Sequence, residues 1–248
     1  MLRRLLLLTA LPALAAQAQE LKLRTVQQSG SVVKYDADGA PARPGLCMEI
    51  LRAVEKQDPG LRFSGLDRQV PLRRVERLLA DGAIDAFFCL LRSPERDKQW
   101  RYVPVPLYGI RHVVVQRSDD PRNLDSLADL AALSQRKPVL VARGTVLARR
   151  LQAADVAVAE AGSEREALQM LALGRADAVY GQDINLQRHL ADSKLGDKLK
   201  FGRAVFLEEQ QYLAIRGDLP AAQEERLTQA LRRLERDGTL RQLADKYR

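Results

Sequence analysis

The sequence predicts an α/β protein built as two lobes, each a mainly parallel sheet covered by helices. Three observations carry this expectation. Short apolar runs of strand length alternate with segments of helical period, the rhythm of parallel strands joined by helical crossovers. The rhythm occurs once in the first half of the chain and again in the second. Between the halves there is no low-complexity linker, so the lobes are expected to be joined by strands rather than by a flexible tether.

In the first half, residues 21–26 read as a strand ending at Gln27-Gln28-Ser29-Gly30. Asp36-Ala37-Asp38-Gly39 is a turn signal, expected in a hairpin or long loop. Residues 46–57 have helical spacing through Leu46, Ile50, Leu51 and Val54, and Pro59-Gly60 stops them. A strand follows at 61–66. A helix at 71–80 carries Leu72, Val75, Leu78 and Leu79 on one face and ends at Asp81-Gly82. Residues 84–91 are continuously apolar, the mark of a strand covered on both faces.

In the second half, strands are predicted at 111–116, 138–142, 156–161 and 176–180. Helices are predicted from Gly144-Thr145 to about residue 153, from Ser163 to Ala172, and over 183–191. Ser163 with Glu166 three residues on is a capping-box pattern. Short strands at 205–207 and 212–215, a long amphipathic helix at 220–236 and a last helix at 240–247 complete the chain.

The 248 residues are 46% hydrophobic and 29% charged, which fits a globular protein and excludes pervasive disorder. The formal charge of +8 comes from basic residues interspersed with acidic ones, as in Glu164-Arg165-Glu166. With no basic stripe, nucleic acid is not an expected partner. The one long apolar run is at the N-terminus, where a basic start is followed by a Leu/Ala run and Ala16-Gln17-Ala18. This three-part pattern predicts a secretory signal peptide over residues 1–18, cleaved after Ala18, and a periplasmic mature protein. Export permits a disulfide between the two cysteines, Cys47 and Cys89. One sits near a helix N-terminus and the other near a strand C-terminus, on one edge of a parallel sheet. Both outcomes, a disulfide or two buried thiols, stay open. The chain has no Gly-x-Ser-x-Gly elbow, no phosphate loop and only two distant histidines, His112 and His189. Neither an enzyme nor a cofactor or metal is therefore expected.

Five stretches carry a resemblance to a known family. They are Gly45-Leu46-Cys47-Met48-Glu49-Ile50; Leu79-Ala80-Asp81-Gly82-Ala83-Ile84-Asp85; Ser93-Pro94-Glu95-Arg96 followed by Pro106-Leu107-Tyr108; Glu166-Ala167-Leu168 with Gly174-Arg175-Ala176-Asp177-Ala178-Val179; and Asp237-Gly238-Thr239 followed by Lys246-Tyr247. In this order and spacing the chain resembles the periplasmic solute-binding proteins of family 3, of the type that serves polar amino acid ABC transporters. The resemblance implies a two-lobe periplasmic-binding-protein-like (type II) fold with two crossover strands at the hinge. Lobe 1 would be residues 19–110 plus 212–248, and lobe 2 residues 111–211. It also implies a monomer that closes on a small carboxylate-bearing ligand, an amino acid or related organic acid, and passes it to an inner-membrane ABC permease.

By motif, Arg96 matches the family's carboxylate-binding arginine. Ser93 would cap a first turn that begins at Pro94, so a cation there opposes the helix dipole, and a bound carboxylate would compensate. Gly144 and Thr145 match the turn that brings a hydroxyl and a backbone N–H to the same carboxylate. The family's ammonium-binding aspartate aligns with Gln182, with Asp183 one step later, which leaves open whether the ligand has an α-ammonium group. Where the family usually has Ser or Thr before the arginine, the run is Cys89-Leu90-Leu91-Arg92, and Arg92 is a candidate second anion contact. Gln27, Gln28 and Ser29 should face the cleft, Tyr108 should lie near the hinge, and Trp100 with Tyr102 form either an aromatic wall or core. The alternative reading is a periplasmic enzyme of the cyclohexadienyl dehydratase type, with Glu208, Glu209 or Asp183 as its acid. A third is a ligand-free accessory or sensor protein of the same fold.

Overall fold

The computed structural model describes residues 20–36, 39 and 41–248. The expected signal peptide lies outside them. The expected turn at 36–39 lies partly outside, and its described ends are joined by the Gly39 N–H donating to the Asp36 carbonyl at 3.2 Å.

In chain order the elements of the first half are β1 (Leu21–Arg24), β2 (Gln27–Gln28), α1 (Leu46–Gln57), β3 (Leu61–Ser64), β4 (Gln69–Val70), α2 (Leu72–Ala80), β5 (Ala86–Leu91), α3 (Pro94–Asp97) and β6 (Trp100–Tyr102). Then come β7 (Tyr108–Arg117), α4 (Leu127–Ser134), β8 (Val139–Ala142), α5 (Leu147–Gln152), β9 (Val158–Ala161), α6 (Glu164–Ala172), β10 (Val179–Gln182), α7 (Asp183–Ala191) and β11 (Leu199–Phe201). The long strand β12 (Leu207–Arg216) leads to α8 (Ala221–Arg236) and α9 (Thr239–Lys246).

The chain folds as two lobes of mixed sheet and helices. In the first, β1 and β3 pair in parallel, and the backbone N–H of Arg24 donates to Asp85 Oδ2 at 2.7 Å, tying β1 to the approach of β5. Helix α1 lies against β3, β5, α8 and α9. Its buried face is the predicted one, from Leu46 through Ile50 and Leu51 to Val54. All six residues of β5 are buried, so its continuous apolarity reflects cover on both sides. In the second lobe, β10, β8 and β9 are parallel neighbours, and α6 packs across them with Ala167, Leu168 and Leu171 inward.

Two long strands link the lobes. β7 and β12 pair antiparallel, with Tyr108 opposite Gln211 and His112 opposite Leu207. β7 continues against β10 and β11, while β12 continues against β5 and β6. Antiparallel pairing is thus concentrated on the crossing strands, and the expected parallel pairs lie within the lobes. The expected strand at 212–215 belongs to β12, which begins at Leu207, so residues 205 and 206 of the other expected strand lie before it. The polar run Glu208-Glu209-Gln210-Gln211 between the two expected strands is strand too, because that segment crosses from lobe to lobe instead of filling a core.

Three further differences have local causes. Helix α4 was not expected. Its start is marked by Ser126 and Asp129, whose side chains each take the other's backbone N–H. Strand β10 begins later than the predicted 176–180. Asp177 lies before it and holds Arg117 at 3.2 Å and Arg122 at 3.3 Å. At α6 the Ser163 hydroxyl accepts the Glu166 N–H at 3.2 Å, but the Glu166 carboxylate takes the N–H of Gly162 at 2.7 Å, so the predicted capping box is only half made.

Candidate functional site

A cavity of about 340 Å³ lies between the lobes. One wall comes from the chain after β2, the start of α2, the end of β5 and α3. The other comes from the β8–α5 turn, the start of α6, the end of β10 and α7. Strand ends and helix starts from both lobes converge there, which is where open α/β sheets bind small ligands.

Arg96 lines this cavity and is only 3% exposed. Ser93 caps α3 as predicted, its hydroxyl accepting the Arg96 N–H at 3.3 Å, with Pro94 at the first helical position. The guanidinium is oriented by protein acceptors. Its Nε donates to Glu76 Oε1 at 3.0 Å, Nη1 donates to the Leu91 carbonyl at 2.8 Å, and Nη2 also reaches Glu76 Oε1. These contacts use three of the five N–H groups of the fork. Two remain for a ligand.

Thr145 lines the opposite wall, and its hydroxyl donates to the Ala142 carbonyl at 2.9 Å. Gly144 has φ +78°, and a Cβ there would stand 2.9 Å from Arg73 Cγ. A side chain there is strained by the backbone conformation and requires the exposed Arg73 side chain to shift. Arg73 then reaches across to Glu160 at 3.2 Å, so the two walls meet at the cavity mouth.

Gln28, Ser29 and Gln182 also line the cavity. Gln28 Oε1 and Ser31 Oγ are buried at its wall without a partner among the described residues. Gln27 is not a lining residue; its amide donates to the Leu66 carbonyl.

Three other candidates are held elsewhere. Asp183 does not line the cavity. Its carboxylate accepts the backbone N–H of Arg111 at 3.0 Å and Arg111 Nε at 2.8 Å, so the one-residue offset from Gln182 turns it away onto β7. Arg92 pairs with Asp97 at 3.1 Å and lies over the Tyr102 ring. Tyr108 is buried beneath the hinge, its hydroxyl 3.9 Å from Cys47 Sγ. Trp100 and Tyr102 are core residues. Cys47 and Cys89 are joined in a disulfide. Among the described residues no His, Cys, Asp and Glu cluster suited to a metal occurs.

Two ionisable residues of the cavity were not singled out by sequence. Lys34 is 5% exposed, and its Nζ donates to the Cys89 carbonyl at 2.8 Å and to Gln211 Oε1 at 3.5 Å. Burial pushes its pKa down to about 7, against the opposing pull of Glu164. Glu164, on the other wall, is pushed up to about 7 by burial, although it accepts a hydrogen bond from Asn185 Nδ2 at 3.3 Å and faces Lys34. A lone lysine between Val33 and Tyr35, or a glutamate in a mixed-charge run, carries no residue pattern that marks a site. Glu208 is exposed, and Glu209 is engaged by Arg150 at 2.7 Å and His112 at 2.8 Å. Neither lines the cavity.

No family model matches the chain, and no curated protein matches it in sequence. Solved structures match it in fold. An ancestral arginine-binding protein bound to arginine superposes with a TM-score of 0.74 at 22% identity, over 91% of this chain and 97% of that one. The substrate-binding protein of an amino acid ABC transporter gives 0.72 at 18% identity, over 90% and 98%. An ancestral amino acid-binding protein described as a precursor of cyclohexadienyl dehydratase gives 0.71 at 21%, over 91% and 95%. The chain therefore has the two-lobe fold of the periplasmic binding proteins, with its cavity between the lobes. At these identities the likeness defines the fold and leaves the ligand to the residues of this cavity.

Proposed function

We propose that this protein is an exported substrate-binding protein that closes on a small carboxylate-bearing solute, an amino acid or related organic acid, and delivers it to an inner-membrane ABC permease. The observation that carries the reading is the buried guanidinium of Arg96, pre-oriented by Glu76 and Leu91 with two N–H groups left over, in the wall of an interlobe cavity. A carboxylate takes two parallel N–H bonds from such a fork. The Thr145 turn, held by Gly144, approaches from the other wall, so ligand contacts to both lobes would favour closure. Residues 19–110 with 212–248 form one moving body in this reading and residues 111–211 the other, hinged where β7 pairs with β12. The expected signal peptide supports a periplasmic location, and the protein acts as a monomer without a cofactor.

Melting of the purified protein against a panel of carboxylate metabolites tests this reading. A ligand that binds only the folded state raises the midpoint by mass action. The reading expects at least one carboxylate to do so, and a panel that leaves the midpoint unmoved contradicts it.

Glu164 favours one alternative. A cleft carboxyl pushed up to about 7 has the protonation behaviour of a general acid. Incubation with prephenate or arogenate separates the two: turnover supports a dehydratase, and binding without turnover supports a receptor.

A further inference from the structure

The cavity wall carries a second polar cluster near Arg96, whose hydrogen bonds run from Lys34 to Gln211 and from Gln211 to Gln182. A lysine amine held against the Cys89 carbonyl is a donor, and it also donates to Gln211 Oε1 at 3.5 Å. That contact turns the acceptor of Gln211 toward Lys34 and its amide nitrogen the other way. Gln211 is fully buried on β12, and its Nε2 donates to Gln182 Oε1 at 3.2 Å. The oxygen of Gln182 is therefore occupied. What Gln182 has left is its NH2 group, which has no acceptor among the described residues although the residue lines the cavity and is only 7% exposed.

So the position that the motif alignment equates with an ammonium acceptor presents donors instead. Lys34 lines the same cavity; among the described residues no carboxylate lies within ion-pair distance of it, and Glu164 acts on it only from farther off. Burial lowers the Lys34 pKa to about 7, and an anionic oxygen within reach would restore its charged form.

Resting on the carboxylate reading above, we infer that Lys34 and Gln182, oriented through Gln211, form a second anion subsite, and that the ligand is a small dicarboxylate whose second acid group docks there while Arg96 and Thr145 hold the first. Lys34 sets specificity by ligand contact, and Gln211 is a positioning residue. Glu164, whose carboxyl burial pushes up to about 7, lines the same cavity and accepts a hydrogen bond from Asn185 Nδ2.

The test is calorimetric titration of the full chain with succinate, glutarate, butyrate and L-glutamine. One of the two diacids is expected to bind at least about 30-fold more tightly than butyrate and L-glutamine, the range of one charge-assisted hydrogen bond lost. Lys34→Met should reduce diacid affinity at least about tenfold more than butyrate affinity. Gln182→Glu, which replaces the donor by a charge of the wrong sign, should abolish diacid binding and serves independently should the Lys34 variant fold poorly. Butyrate or L-glutamine binding as tightly as the diacids overturns the inference but leaves the carboxylate reading standing. A diacid preference that survives both substitutions also overturns it. If none of the four compounds binds, the inference fails, and melting against the wider panel decides the carboxylate reading separately.

Discussion

Lys34 Nζ lies 2.8 Å from the carbonyl oxygen of Cys89, while the backbone N–H of Cys47 donates to the Lys34 carbonyl at 3.1 Å. The disulfide between those cysteines thus grips one lysine at both its ends. It fastens the first turn of α1 to β5, the strand that leads to Arg96, and the Lys34 hydrogen bonds tie the loop after β2 to both cysteines. The crosslink belongs to the architecture of the cavity as well as to the stability of the lobe.

Replacing both cysteines by serine should lower stability substantially. The bond closes a loop of sequence separation 42, and the loop-entropy relation gives about 4 kcal/mol for that length. For a chain of this size that corresponds to a fall in melting midpoint of roughly 8–15 °C. Melting of the double variant beside the oxidised protein checks it; a difference within 2 °C or so would contradict it.

Gly144→Ala should weaken both fold and ligand binding. The new methyl must occupy φ +78° and meets Arg73 Cγ at 2.9 Å. Such strain costs about 1–3 kcal/mol. Because Arg73 crosses to Glu160, the same substitution should pry the walls apart, seen as a lower ligand affinity than in Arg73→Ala. That exposed ion pair by itself contributes only about 0–1 kcal/mol.

Glu164 should destabilise the unliganded protein at neutral and alkaline pH. Its folded pKa is raised to about 7 by burial. The favourable protonated form is therefore fully present below the ordinary carboxylate range and is lost as pH rises through about 7. Glu164→Gln should gain on the natural protein as pH rises from 5 to 8, by on the order of 3 kcal/mol. Melting at both pH values measures this; an equal effect at the two would contradict it.

The acid limb has the opposite sign. Arg226 hydrogen bonds hold Asp58 below its ordinary value, and Arg122 does the same for Asp120. At Asp85 burial pushes upward, and the contacts from Arg24 and Arg216 outweigh it. These carboxylates contribute stability above the ordinary aspartate range, and it is lost as pH falls below about 4. The melting midpoint should drop between pH 5 and 3, and Asp58→Asn should make that drop shallower.

Much of the fold was legible because burial leaves a period. The face of α1 and the uninterrupted run of β5 are imprinted in the apolar positions. The Arg96 turn was legible through its cap, since Ser93 and Pro94 specify a helix start whatever surrounds them. The crossing strand β12 was not, because a hinge strand passes between lobes and its polar residues break the pattern of a core strand. Nor was the second polar cluster at the cavity wall. Lys34, Gln182 and Gln211 are 148 to 177 positions apart or 29 apart in pairs that only the fold brings together. Asp183 was misdirected by a single position, which on a helix start is enough to turn a side chain from the cavity to the neighbouring strand.

In the proposed function, ligand capture depends on the buried Arg96 guanidinium in the cavity wall. Calorimetric titration of a carboxylate that raises the melting midpoint, into the natural protein and into Arg96→Ala, tests it most directly. Loss of two charge-assisted hydrogen bonds predicts at least about a 100-fold fall in affinity, with Glu76→Gln retaining measurable binding. Equal affinity in the Arg96→Ala protein would contradict the account.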